Sequence, residues 1–392
     1  MQPLSPTRSM TSIPLWRDVR VLRVVAQLIF LAIMLLLAVS LCNNLTRGLQ
    51  KFTNFDFDFL RSTSSLPLSE SPIPYEPHDP MYRAYLVGLL NTVRVIVLGI
   101  ILTSIVGLMV GVARLSANWL IAKIAHAYVE IFVDTPLLIQ LYFWYLAGVL
   151  RLPRVRESLQ LPGNIFLSNR GLAMPWYDPN ANFEMWLGFI GAGFLLAIFF
   201  YVRLGKLKTR RAIREWRAVW APLAFILIVI LTANALNPFA VTIPELKGFN
   251  FQGGITLSPE YVALLLGLVL YTGAFVAEIV RAGIQAVPRG LSEAARALGL
   301  SYFQTLRLVT VPVALRVIIP PLTNQYLNLT KNSSLAIAVA YPDLFFVGGG
   351  IFNMTGQTIQ VIGMMMGTYL LMSLAISAIM NLLNSRFKLV ER

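Results

Sequence analysis

Residues 278–312, EIVRAGIQAVPRGLSEAARALGLSYFQTLRLVTVP, decide how this chain reads. The stretch is polar, basic and helix-forming, and it lies between two long apolar runs. Leu291, Ala294, Ala295, Leu298 and Gly299 fall at i, i+3, i+4, i+7 and i+8, so on a helix they share one face. That face is made mostly of small residues, which let another surface come close. The opposite face carries Glu293, Arg296 and Ala297. Ser292 is the expected N-cap, with Glu293 in a first turn where negative charge suits the helix dipole. A short helix of this kind beside a membrane reads as a docking element for a soluble partner.

Composition supplies the membrane. The chain has 392 residues, 57% of them hydrophobic and only 13% charged, where a soluble domain carries about a quarter. Apolar runs long enough to cross a bilayer, about 20 residues each, are expected near 24–42, 84–112, 121–149, 187–202, 218–236, 261–280, 313–331 and 358–383. The fold class is therefore an all-α membrane protein with about eight transmembrane helices. The runs are continuous, unlike the short alternating segments of a β-barrel. A single cysteine, Cys42, excludes an internal disulfide, and His78 and His126 lie far apart, so no metal site is expected. The net charge of +14 does not point to nucleic acid. With the N-terminus inside, most basic residues fall on the cytoplasmic side, led by Arg203, Lys206, Lys208, Arg210, Arg211, Arg214 and Arg217. That loop reads as a topology signal touching anionic membrane lipid. Arg151, Arg154 and Arg156 fall on the external side and run against the rule.

Near the N-terminus, Arg17, Arg20 and Arg23 precede an apolar run ending VSLC at Cys42. Leu41 stands where a cleavage site wants a small residue, so the run is expected to stay as a first helix. Residues 1–83 then form an N-terminal segment, this helix and an external stretch. Residues 84–150 begin a transport core, and 151–260 form an insertion of two helices, the basic loop and two external stretches. Residues 261–385 complete the core, and 386–392 are a cytoplasmic tail.

Within the core, Gly107 and Gly111 form a small-xxx-small pair that permits close helix packing. Asn91 and Arg94 lie in the outer half of the same helix, where Arg94 either snorkels outward or lines a polar path. Glu130 and Asp134 share a face, and Pro136 predicts a kink or a broken start. Their acids are expected at the membrane surface, or paired with a neighbouring helix or a partner. Thr272 lies mid-span, and Glu278 and Arg281, three apart, could pair. Pro312, Pro320 and Pro321 are expected to break the next helix. Asn324, Gln325, Asn328, Thr330, Lys331, Asn332, Ser333 and Ser334 then cluster at a depth that should be apolar. Such a cluster lines a cavity or is buried in protein. One reading is a translocation path in which Lys331 or a helix N-terminus meets a substrate carboxylate; the other is an internal packing network.

EAARALG followed by VTVP resembles the EAA motif of bacterial ABC importer membrane subunits, here Glu293, Ala294, Ala295, Gly299, Val309, Val311 and Pro312. YVEIFVDTPLLIQL, AEIVRAGI, PLTNQYLNLTKNSSL and DL accompany it in the order seen in the polar amino acid permeases of the histidine/glutamine/arginine type. Phe132-Val133-Asp134 replaces that family's usual basic-Gly approach, and Asn332-Ser333 stands where Asp-Thr is usual. The first helix and long insertion look like the larger membrane subunit of the general L-amino-acid importers.

The resemblance implies a type I importer permease in the bacterial inner membrane, multi-pass, with cytoplasmic N- and C-termini. Its five-helix core would pair with a second homologous permease subunit. A periplasmic amino-acid-binding protein would deliver an L-amino acid. An ABC ATPase dimer, holding ATP and Mg, would grip Glu293, Ala294, Ala295, Leu298 and Gly299. The path would be lined from Asn91, Arg94, Thr272, Glu278, Asn324, Asn328, Lys331 and Ser333. The chain has no GxxxxGK[ST] loop, so it binds no cofactor of its own by that route and is a transport subunit rather than an enzyme. Ion-coupled secondary amino acid transport is the alternative. It would need carboxylates near the midplane and often inverted repeats, whereas Glu278 and Asp343 sit near span ends and no repeat is visible. A membrane-embedded enzyme would need paired catalytic carboxylates or a nucleophile elbow, and neither is apparent.

Overall fold

The structure, a computed structural model, describes residues 19–51, 56–206 and 211–387. The terminal stretches 1–18 and 388–392, and the side chains of the basic loop at 203–217, lie outside the described residues. The chain divides after Phe59 into two compact units. The first contains helix α1 (Val19–Lys51). Its apolar stretch Arg23–Asn43 is long enough to cross a bilayer, and side chains such as Leu28, Phe30, Leu35 and Leu41 are exposed. Exposure of leucine on every side of a helix suits a lipid solvent, not water.

The second unit begins with a strap, residues 60–80, which leads into α2 (Met81–Ala113), α3 (Trp119–Asp134) and α4 (Leu137–Tyr142). Asn118 caps α3 by accepting from the Leu120 and Ile121 N–H groups. Thr135 and Pro136 are both extended, because proline disfavours helical backbone in the residue before it. The chain consequently turns by 106° between Trp119–Asp134 and Leu137–Arg151. What the sequence suggests as one span at 121–149 is therefore a sharply bent pair, a stronger break than a kink.

The insertion starts with short strands β1 (Leu159–Leu161), β2 (Ile165–Ser168), β3 (Gly171–Met174) and β4 (Trp176–Pro179). Helices α5 (Phe183–Lys206) and α6 (Arg211–Leu236) follow, packed on each other, with Phe194 edge-on to Phe225 at 5.9 Å. The chain returns through β5 (Phe239–Thr242), β6 (Glu245–Lys247), β7 (Asn250–Gln252) and β8 (Ile255–Leu257). One sheet has the order β1-β2-β3-β8, all antiparallel, and closes through Leu172 opposite Leu257. β4 pairs β5 and β6 pairs β7. The apolar runs are helical, as expected; the stretches flanking the α5–α6 pair add strands that the sequence reading left unassigned.

Helix α7 (Pro259–Gln285) is the axis of the unit. Ser258 caps it, Pro259 sits at its start and Glu260 lies in its first turn. Leu264 and Leu268 are fully buried against Val95 of α2 and Leu141 of α4. The α2–α7 contact is close because α2 offers no side chain there. A Cβ on Gly107 would collide with Val276, and one on Gly111 would lie 2.8 Å from the Ala277 carbonyl and the Val280 Cβ. The small-xxx-small pair thus works as packing.

After α7 come α8 (Arg289–Ala297), α9 (Tyr302–Thr305), a π-turn at Leu306–Thr310 and α10 (Val311–Asn332). The expected break at the prolines does not occur. Pro320 and Pro321 lie inside continuous α10, and Pro312 sits just after the π-turn. A π-turn leaves room where the Pro312 ring would strike the preceding carbonyl, and neighbouring helices keep α10 continuous although Pro320 and Pro321 donate no N–H. A 3₁₀ segment (Ser333–Val339), α11 (Leu344–Thr355) and α12 (Thr358–Phe387) complete the unit. Among the described residues, five of the eight expected spans, near 24–42, 84–112, 261–280, 313–331 and 358–383, fall on single helices long and apolar enough to cross, and the bent pair at 121–149 makes a sixth. The two expected in the insertion fall on shorter apolar helices, Phe183–Phe199 and Leu223–Leu236.

Candidate docking face and polar path

The helix that opened the sequence reading is α8, and it begins earlier than expected. Pro288, not Ser292, is its N-cap, so Glu293 lies beyond the first turn. Ala295 is buried, while Leu291, Glu293, Ala294 and Leu298 are exposed. One alanine therefore seats the helix on its own protein, and the rest of the small-residue stripe is free. Leu298 is 83% exposed, and beyond it Tyr302 and Phe303 are also exposed, which makes an apolar ledge against no described residue. Gly299 does not lie on the helix face. Its φ of +81° ends the helix, with its N–H donating to the Arg296 carbonyl (2.9 Å) and that of Leu300 to the Ala295 carbonyl (3.2 Å). This Schellman arrangement needs a left-handed residue, and nothing lies near a Cβ built at that position.

At the same end of the bundle, Glu278 does not pair with Arg281. Its carboxylate accepts from Arg114 at 3.2 Å, and Arg281 donates instead to Gln285 at 2.8 Å. Arg114 also lies 3.2 Å from His126, so α2, α3 and α7 meet around one guanidinium. Glu130 and Asp134 are exposed, and no described cation pairs with them.

At the opposite end, Arg94 and Asn91 are held by the strap. Arg94 bonds Glu70 at 2.6 Å and lies 4.6 Å over the Tyr261 ring. The other Glu70 oxygen accepts from the Ser258 N–H at 3.2 Å. Buried Asn91 donates to the carbonyls of Glu70 (3.0 Å) and Pro342 (2.9 Å). These bonds clamp the strap between α2, the start of α7 and the approach to α11. Leu66 packs onto Gly350, where a Cβ would come within 2.8 Å of it. Asp343, fully buried, caps α11 by accepting from the Phe346 N–H at 2.8 Å and also accepts from Tyr369 at 3.2 Å.

The polar cluster of α10 divides. Thr330 and Ser333 are buried and bond backbone carbonyls of their own turn. Asn324, Asn328 and Lys331 lie at i, i+4 and i+7, and all three are exposed. Lys331 also borders a groove of about 750 Å³ walled by Leu327, Phe345, Phe352, Met365, Met366 and Tyr369. Thr272 is buried in α7 far from that surface in sequence, with no hydrogen-bond partner for its hydroxyl. The structure therefore brings Asn324, Asn328 and Lys331 together, places Asn91 and Arg94 under the strap, and leaves Glu278 at the α8 end.

Residues 217–391 match the binding-protein-dependent transport system inner membrane component family. YhdX of Escherichia coli K12 is 44% identical over 343 residues, 86% of each chain. The general L-amino acid transport system permease protein AapQ of Rhizobium johnstonii is 43% identical, covering 86% of this chain and 84% of its own. The glutamate/glutamine/aspartate/asparagine transport system permease protein BztB of Rhodobacter capsulatus is 40% identical over 96% of both. This chain belongs to the amino-acid ABC transporter permeases. The permease's exposed α8 ledge and α10 stripe are accordingly surfaces of one component of a larger transporter. Sequence reasoning missed Glu70, because a lone acid in a Ser/Pro-rich stretch gives no signal of its partner Arg94. Asp343 was read as part of a motif and as a carboxylate near a span end; the cap it forms depends on the turn before α11.

Proposed function

We propose that this permease forms half of the membrane path of an ATP-driven importer of L-amino acids in the bacterial inner membrane, with both termini cytoplasmic. The observation that carries the reading is the stripe of Asn324, Asn328 and Lys331, exposed along a helix of spanning length. Amide and ammonium groups do not face hydrocarbon without a strong penalty, so this face is covered by protein or bathed in an aqueous path. A second homologous permease subunit laid over the groove beside Lys331 supplies both. Lys331 is then available to a substrate carboxylate. The α8 ledge faces an ABC ATPase dimer, which holds the ATP and Mg, while the permease itself holds no cofactor. A periplasmic amino-acid-binding protein delivers substrate at the strap and strand end. The transport roles of AapQ and BztB support L-amino acids as the cargo.

The test is reconstitution of the permease with its partner permease, ATPase and binding protein in proteoliposomes. ATP-driven accumulation of L-amino acids is expected, lost with Leu298→Asp on the ledge and weakened at least tenfold with Lys331→Ala. Uptake that follows an ion gradient without ATP would favour secondary transport and overturn the reading.

A further inference from the structure

A cavity of about 440 Å³ opens where the strands of the insertion meet the strap and the start of α7. Its volume lies within the range of about 300–1,000 Å³ usual for small-molecule sites. Its polar wall is Glu70, Ser168, Arg170, Asn250, Ser258 and Glu260. Glu70 is already engaged by Arg94 and by the Ser258 N–H. Arg170 and Glu260 are not engaged in this way. The Arg170 guanidinium donates to the neutral Asn250 side chain, and Glu260 accepts from the Tyr145 hydroxyl at 3.0 Å. No ion pair joins either to another described residue.

Two opposite charges thus share one cavity without a charged partner. A bound molecule that matches them must itself carry both signs. A carboxylate suits the forked guanidinium of Arg170, and an ammonium suits the Glu260 carboxylate. Phe251 and Ala173 line the same cavity, and Phe251 is fixed by stacking on Phe166 at 4.8 Å, which leaves an apolar wall for a side chain. A second cavity of about 480 Å³ shares Val155 and Arg170 and adds Arg154 and Arg156, with Glu157 as the one acid among three arginines. Those arginines, set against the positive-inside rule, give the approach a positive field that draws carboxylates in.

We infer that this cavity is a low-affinity entry site for a zwitterionic α-amino acid, with Arg170 holding its carboxylate and Glu260 its ammonium. The inference rests on the reading of the permease as an amino-acid importer, and adds a binding site apart from the α10 stripe. It is tested with the assembled transporter in lipid nanodiscs, without the soluble binding protein. The probe is radiolabelled L-glutamine, competed by its analogue lacking the ammonium and by its analogue lacking the carboxylate. Saturable binding is expected, with neither single-charge analogue competing at tenfold excess. Arg170→Gln and Glu260→Gln should each raise Kd at least tenfold, and Glu245→Gln should not. Thr256→Trp, which fills the cavity and leaves both charges in place, should abolish binding; it decides the matter if a charge variant fails to assemble. Absence of saturable binding at millimolar L-glutamine, equal competition by the analogues, or wild-type binding in the variants would overturn the inference. In each of those cases ATP-driven uptake would persist, whereas failure of the importer reading itself would show as no ATP-driven uptake of any amino acid.

Discussion

Removing the Glu70 carboxylate leaves the Arg94 guanidinium, whose side chain is 20% exposed, over the Tyr261 ring without its counter-charge. Breaking one side of a nearly buried ion pair costs roughly 3 kcal/mol, because the remaining charge keeps its desolvation penalty. Glu70→Ala is expected to lower the thermal unfolding midpoint of the detergent-solubilised permease, and Glu70→Ala with Arg94→Met to recover most of the loss. Equal midpoints for wild type and Glu70→Ala would show that the strap is not held by charge. Gly299 carries a second residue-scale prediction. Its φ of +81° costs a β-branched residue roughly 1–2 kcal/mol or more, whereas asparagine tolerates that region. Gly299→Asn should keep uptake coupled to ATP hydrolysis and Gly299→Val should uncouple it, read as amino acid imported per ATP hydrolysed. Loss of coupling in both would mean that the partner requires bare space at this position, since nothing of the permease itself lies there.

Helix packing sets the next scale. Gly107 lets α2 lie directly on α7, and a methyl group there would drive into Val276. Overpacking of this kind costs about 1–3 kcal/mol. Gly107→Ala should reduce the yield of folded permease, and Val276→Ala on the same chain should restore it, measured by monodisperse recovery from membranes. Failure of the second change to rescue would place the strain elsewhere. This contact was legible in the sequence because a four-residue spacing of glycines maps directly onto one helical face. Reading by local pattern likewise found the five helices long and apolar enough to cross a bilayer. It failed at Pro320 and Pro321, where α10 continues as one helix. Local propensity argues for a break there, and tertiary packing overrides it. It also failed at α8, where the serine that resembles a cap is preceded by a proline that starts the helix four residues sooner. The strands were illegible for a different reason. They are only three or four residues long, too short for alternation to register, and their pairing depends on joining 159–174 to 255–257 across the intervening helices.

For the molecule as a whole, the question is what covers Asn324, Asn328 and Lys331. Within the described residues they lie bare, and Lys331 borders a mostly apolar groove of phenylalanine, leucine, isoleucine, methionine and tyrosine with Ser334 and Ser373 among them. A face that is apolar at its edges and polar along one line is poorly solvated by lipid and by water alike. A second subunit closing over the edges would leave the line facing a narrow aqueous gap. Cysteine accessibility separates this from an internal packing network. With Cys42 replaced by serine, Asn328→Cys should react with a membrane-impermeant, water-soluble thiol reagent when the permease is assembled with its partner. Excess L-amino acid or trapping with an ATP analogue should slow that reaction severalfold. A cysteine at Leu327, on the groove wall, should react in the isolated permease and become protected on assembly. If Asn328→Cys stays unreactive in every state while Leu327→Cys is indifferent to the partner, the stripe is sealed by something other than a second permease, and the path must be sought along α7 instead.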